Sequence, residues 1–161
     1  MYSHIKKMAL LYVIAIFFIS LDRFAKMYFF QNFTKVVPIN HFLSLQYAEN
    51  PYISFSLPVP ISFIKYATLL LGIILVFVFI KFYKKNNTLL NFSLFSLILG
   101  SFSNIVDRFK YGFVIDYINL KFFTIFNIAD SLIFISIILL SYHIYTIDKK
   151  KEKGYTKQMI K

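Results

Sequence analysis

The chain has no cysteine. Disulfides, thiolate nucleophiles and Cys-ligated metal centres are therefore excluded. Histidine is almost as scarce. His4, His41 and His143 stand singly, without metal-ligand spacing. No G-x-S-x-G occurs, and no His stands beside a plausible Ser nucleophile. Charge is thin as well: 16% of the residues are charged, against about 25% in ordinary soluble domains. That deficit, with a mean hydropathy of +0.65, makes lipid the expected solvent. Acids are the rarest charge, 7 against 18 Lys and Arg, so the placement of each one matters.

Four apolar stretches are each able to form a span. They run from Met8 to Leu21 and past Asp22, from Ile61 to Ile80, from Leu89 to Val106, and from Ile128 to Ile147. Crossing the hydrocarbon takes about 20 helical residues, and backbone groups in lipid must be satisfied internally. The apolar residues are continuous, with no period of two, which argues against a β-barrel. The expected fold class is thus an all-α membrane protein with four transmembrane helices in a single integral membrane domain, residues 1–161. Lys6 and Lys7 precede an apolar stretch as in a signal peptide. However, Phe18-Ile19-Ser20-Leu21 offers no small-residue cleavage site, so a retained anchor is expected.

The net charge of +11 does not point to nucleic acid, because the lysines cluster beside the spans. Lys6 and Lys7 come before the first span. Lys81, Lys84 and Lys85 come between the second and third. Lys149, Lys150, Lys151, Lys153, Lys157 and Lys161 follow the fourth. The positive-inside rule then puts both termini in the cytoplasm, with residues 22–60 and 107–127 at the outer face. The basic tail, about 148–161, is expected to lie near anionic lipid. The first outer segment is long for a connection. Its residues 41–47, His-Phe-Leu-Ser-Leu-Gln-Tyr, partly alternate and predict a short strand.

Asp148 and Glu152 fall on the cytoplasmic side, whereas Asp22, Glu49, Asp107, Asp116 and Asp130 gather on the other. Acids at the ends of apolar spans are costly and are candidates for function. Asp22 and Lys26 are spaced i,i+4 and can pair on one helix face, which reads first as a structural ion pair. In Asn104-Ile105-Val106-Asp107-Arg108, Asn104 shares a helix side with Asp107 and Arg108. That cluster reads equally as an interfacial helix end or as a polar platform for backbone or lipid-headgroup oxygens. Asp116 has apolar neighbours on both sides, and Asp130 follows Asn127 by three residues as in an N-capped helix start.

Two carboxylates brought together in a low-dielectric site share a proton. The ionised member can take a proton from water, and the protonated one can donate to a substrate carbonyl or leaving nitrogen. The helix N-terminus favours the anion at Asp130, which suggests Asp130 as base and Asp116 as acid, with roles that swap during the cycle. Such a pair needs neither metal nor cofactor.

With these residues on the page, the chain resembles bacterial lipoprotein signal peptidase (signal peptidase II). That family carries Asp-x-x-x-Lys, an outer-segment Asn, N-x-x-D-R, G-x-V-x-D-[FY] and F-N-x-A-D-S. Here these read Asp22 to Lys26, Asn50, Asn104 to Arg108, Gly112 to Tyr117, and Phe126 to Ser131. The resemblance implies an aspartic endopeptidase with Asp116 and Asp130 as its catalytic pair. Asn50, Asn104, Asp107, Arg108, Asn127 and Ala129 would shape the site or contact substrate. It also implies a prolipoprotein substrate bearing a diacylglyceryl-modified Cys, cut just before that Cys, and a small extracytoplasmic sheet. The implied setting is the bacterial inner membrane, with membrane lipids as partners and a monomeric enzyme. Three departures from the family pattern stand out. Pro51-Tyr52-Ile53-Ser54-Phe55 stands where x-G-A-A-F is common, Ser103 replaces a frequent Gly, and Thr124 replaces a frequent Pro. They bear on loop geometry and substrate preference. Two other readings of the same acids are a small proton-linked transporter and a non-enzymatic scaffold.

Overall fold

The computed structural model describes residues 2–32, 34–51, 59–83 and 87–159, with side chains from Lys6 to Lys149. Residues 52–55 of the departing loop, Lys84, Lys85 and Lys161 lie outside the described residues, as do the side chains of Lys150, Lys151, Lys153 and Lys157.

Among the described residues, four helices and four strands follow one another in a simple order. Helix α1 (Tyr2–Gln31) leads to β1 (Val36–Pro38) and β2 (Leu43–Asn50). Helices α2 (Ile61–Tyr83) and α3 (Thr88–Tyr111) follow, then β3 (Val114–Leu120), β4 (Thr124–Phe126) and α4 (Ile128–Met159). All four helices are long and apolar enough to cross a membrane. The four expected spans are present, and the chain is a multi-pass membrane protein.

Helix α4 outruns its expected bound, and α1 shows how far past Asp22 the first span reaches. Helix α1 continues past Asp22 to Gln31, so the Asp22–Lys26 pair lies within the span rather than at its end. The charges on that turn meet partners on α3, which offset the cost of taking them out of water. Helix α4 runs to Met159 through the basic tail, since Lys and Glu are good helix formers outside lipid.

Helix α3 is the centre of the bundle. Its buried residues include Ser93, Ser96, Gly100, Ser103, Asn104 and Asp107, recurring at three- and four-residue steps. Small and polar residues are what pack helices closely in lipid, where apolar side chains gain little from meeting each other. Gly100 is the closest approach. A Cβ there would lie 2.7 Å from the Ala129 carbonyl oxygen and 2.9 Å from the Ile133 side chain. The first turn of α4 therefore rests directly on α3.

The two long connections build one antiparallel sheet in the order β1-β2-β3-β4. The expected strand is present but begins at Leu43 rather than His41. Asn40 explains the shift: its side-chain Oδ1 accepts from the backbone N–H of both Phe42 and Leu43, holding residues 40–42 in a turn. Pro38 sits in the edge strand β1, where a missing N–H does least harm. Helix α3 stops at Gly112, whose φ of 87° is the left-handed cap that glycine adopts without strain. Strand β3 starts two residues later. Its Val114 to Tyr117 segment is buried against the bundle. A register shift between Leu45 and Ala48 in β2 sets Ala48 opposite Asp116 and Asn50 opposite Val114.

Candidate active site

The buried polar groups gather where α1, the last turns of α3, strand β3 and the start of α4 meet. Asp116, Asn127, Asp22, Lys26 and Asp107 are each 1% exposed or less. Burial on this scale is sustained only if every charge is paired or hydrogen-bonded.

Asn127 is the hub. As N-cap of α4 its Oδ1 accepts from the backbone N–H of Asp130 at 2.8 Å, while Asp130 Oδ2 accepts from the Asn127 backbone N–H at 3.4 Å. This reciprocal pattern is a capping box. The remaining Asn127 amide donates to Asp116 Oδ1 at 2.6 Å and to the Ile115 carbonyl at 3.3 Å. One residue thus bridges both carboxylates. Asp116 is completed by Asn50, whose amide reaches Oδ2 at 2.9 Å across the β2–β3 pair. Asp130 is completed by Asn104, whose amide reaches Oδ1 at 2.7 Å.

Burial pushes the Asp116 carboxyl up to about 7, and the neighbouring Asp130 charge adds to this. Hydrogen bonds from Asn50 and Asn127, and the Lys26 charge, pull the other way without cancelling it.

Beneath the pair lies an ionic layer. Lys26 Nζ sits 2.8 Å from Asp107 Oδ2 and 3.2 Å from Asp22 Oδ2, and donates to Asn104 Oδ1 at 2.8 Å. The same Asn104 side chain therefore passes from Lys26 to Asp130. Asp22 accepts four donors: Lys26, the Ser103 hydroxyl at 2.6 Å, the Tyr117 hydroxyl at 3.1 Å and the Ala129 backbone N–H at 3.1 Å. Burial and the Asp22 charge push the Tyr117 phenol up, so it stays a donor. Asp107 also takes the Ile115 N–H at 3.4 Å, and its second oxygen is held by Arg23.

Asp22, Lys26, Asn50, Asn104, Asp107, Asp116, Asn127, Ala129 and Asp130 are thus joined in one network. Arg108 borders it. Its guanidinium feels the charges of Asp130, Asp116 and Asp107, and its buried Nε has no hydrogen-bond partner among the described residues. A buried donor of this kind calls for an explanation. Three members carry no role in the sequence reading. Arg23 binds Asp107 and the Ser103 carbonyl; an Arg inside an apolar span, three residues from Lys26 on the same helix side, is its sequence signal. Ser103, read from the sequence as a small spacer, is a hydroxyl donor to Asp22. Tyr117 links that carboxylate to the start of α4, donating to Asp22 and accepting from the Ile128 N–H at 3.3 Å. Among the described residues, no group of three or more His, Cys, Asp or Glu is arranged to hold a metal ion.

The family model described as signal peptidase (SPase) II matches residues 14–146. The chain belongs to the signal peptidase II family. The match contains every member of the network. The lipoprotein signal peptidase of Caldanaerobacter subterraneus subsp. tengcongensis is 35% identical over 136 residues, covering 81% of this chain and 92% of that protein. That of Clostridium tetani is 31% identical over 156 residues, covering 92% and 97%. A bacterial membrane enzyme solved by the in meso method superposes with a TM-score of 0.76 at 23% identity, covering 89% of this chain and 92% of that one. This last likeness concerns the fold, and it extends to four helices with a small sheet.

Proposed function

We propose that this signal peptidase II family member is an aspartic endopeptidase that removes signal peptides from prolipoproteins, cutting before a diacylglyceryl-modified Cys. Asp116 and Asp130 are its catalytic pair. The observation that carries this reading is the Asn127 bridge, which ties the buried Asp116 carboxyl and the half-buried Asp130 carboxyl to one residue, with the Asp116 carboxyl raised to about 7. A carboxylic acid that keeps its proton near neutrality can act as an acid there.

The step balances without a metal. Asp130 takes a proton from water, the water oxygen bonds to the scissile carbonyl carbon, and Asp116 gives its proton to the carbonyl oxygen. The resulting diol collapses as one carboxyl protonates the Cys nitrogen and the C–N bond breaks. The other carboxyl takes a hydroxyl proton, leaving one proton on the pair. Asn50, Asn104 and Asn127 hold the carboxyl groups in place, and Arg108 receives a backbone carbonyl oxygen of the substrate. The lysine distribution supports cytoplasmic termini and a site at the outer face of the inner membrane, which a signal helix and its acyl chains reach sideways through lipid.

The test is cleavage of a diacylglyceryl-Cys prolipoprotein by purified protein, scored by gel shift, beside Asp116→Asn, Asp130→Asn and an unlipidated substrate. Wild type alone should cut, and only the lipidated substrate. Cleavage by either folded Asn variant, or none by folded wild type, would overturn the reading.

A further inference from the structure

Most exposed apolar side chains of this protein lie on the four spanning helices, where lipid accounts for them. Outside the helices, among the described residues, five large apolar side chains are exposed: Val36, Ile39, Phe42, Phe122 and Phe123, the first of them in β1 away from the rest. The other four gather at one end of the sheet, on the turns joining β1 to β2 and β3 to β4. Leu43 pairs with Leu120 there, and the Lys121 N–H donates to the Phe42 carbonyl at 2.9 Å, tying the two turns into one tip.

The tip is held in its shape. Asn40 Oδ1 accepts from the Phe42 and Leu43 N–H groups at 2.9 Å each. The Phe123 N–H closes the second turn onto the Leu120 carbonyl at 3.0 Å. Phe122 sits at φ 73°, and among the described residues no other non-glycine residue has a positive φ. A bulky side chain is strained there, where Gly or Asn would serve a turn in water. Yet Phe122 is 87% and Phe123 81% exposed. A strained residue that displays a phenyl ring is a reason to look for what the ring meets.

The sheet is joined to the helix ends by short links. Asn127 alone separates β4 from α4, and β1 begins at Val36, soon after α1 ends at Gln31. The tip therefore belongs to a body anchored at the ends of the spans. Lys121 lies over the Phe122 ring, 5.3 Å from its centroid, and His41 is exposed on the other turn. Apolar rings rimmed by basic groups suit the boundary between acyl chains and anionic headgroups.

We propose that residues 39–42 and 121–123 form an interfacial anchor that dips into the leaflet on the sheet's side and holds the sheet down on the membrane. The anchor is independent of the peptidase reading.

The chain has no tryptophan, so Phe122→Trp and Phe123→Trp each create a single-tryptophan protein. Both are conservative changes at exposed positions. The full chain would be placed in vesicles of phosphatidylcholine and phosphatidylglycerol, with and without brominated acyl chains. The expected result is blue-shifted emission, strong quenching by bromines near the headgroup, weaker quenching by deeper ones, and protection from aqueous acrylamide. Ready quenching by acrylamide with indifference to brominated lipid would overturn the proposal. So would emission that changes only with protein-to-lipid ratio, which marks a second copy, or only on adding prolipoprotein.

Discussion

Asn127 donates its side-chain amide to Asp116 from the same position at which it caps the helix that carries Asp130. The start of α4 and one oxygen of the Asp116 carboxyl are thereby tied to the same residue. A pH profile follows from this. The Asp116 carboxyl, raised to about 7 by burial and by Asp130, holds its proton below that pH and loses it above. In the proposed mechanism kcat/KM should fall about tenfold per pH unit on the alkaline side of that value. Initial rates between roughly pH 6 and 9 in nanodiscs check this, and a flat profile would remove Asp116 as the acid.

Asn50 offers a test with a defined sign. Its amide stabilises the charged form of Asp116 and so lowers the carboxyl's proton affinity. Asn50→Ala removes that donor. The alkaline limb should then move to higher pH by about one unit, the worth of one hydrogen bond to a charge. An unmoved limb with reduced kcat would mean that Asn50 acts on the substrate instead.

The four helices were legible because hydrocarbon thickness imposes a length on any span, and lipid leaves no other way to satisfy the backbone. Strand β2 was legible by alternation, apart from the turn that Asn40 imposes. Strands β3 and β4 were not, because β3 is buried along Val114 to Tyr117 and its residues do not alternate. At the candidate site, the motif residues could be picked out singly, but their wiring could not. That Asn104 touches both Lys26 and Asp130 depends on α1, α3 and α4 meeting at Gly100 and Ser103, which no local spacing reports. The role of Arg23 is not legible locally, because its partner, Asp107, lies on another helix.

The ionic layer predicts a stability effect. Around the site stand four carboxyl groups (Asp22, Asp107, Asp116, Asp130) and three cations (Arg23, Lys26, Arg108). One shared proton on the proposed catalytic pair makes the set neutral. Lys26→Met leaves Asp22 and Asp107 facing each other with less compensation, and should cost about 3–5 kcal/mol, as removal of one partner from a buried pair does. Adding Asp22→Asn should recover much of that loss in thermal unfolding while activity stays low. If the double variant is no more stable than Lys26→Met, the lysine acts by packing and not by charge.

Two glycines on the bundle should respond differently to the same added methyl group. At Gly72 a Cβ meets only the Ile105 Cδ1, at 3.0 Å, and a terminal methyl can turn aside. Gly72→Ala should be near neutral, since alanine also favours the helix. At Gly100 the Cβ meets a backbone oxygen, that of Ala129, at 2.7 Å, together with Ile133 at 2.9 Å. A backbone cannot turn aside, so α3 and α4 must separate. Overpacking of this kind costs about 1–3 kcal/mol. The displacement also acts on the bond from Asn104 to Asp130, which crosses the same interface at 2.7 Å. A shift on the order of 1 Å in a catalytic group can cost up to about a hundredfold in rate. Gly100→Ala should therefore lower kcat by about tenfold or more, beyond what its loss of stability explains, when both variants are assayed well below their unfolding temperatures. Equal rates for the two variants would show that the α3–α4 contact does not govern the geometry of the pair.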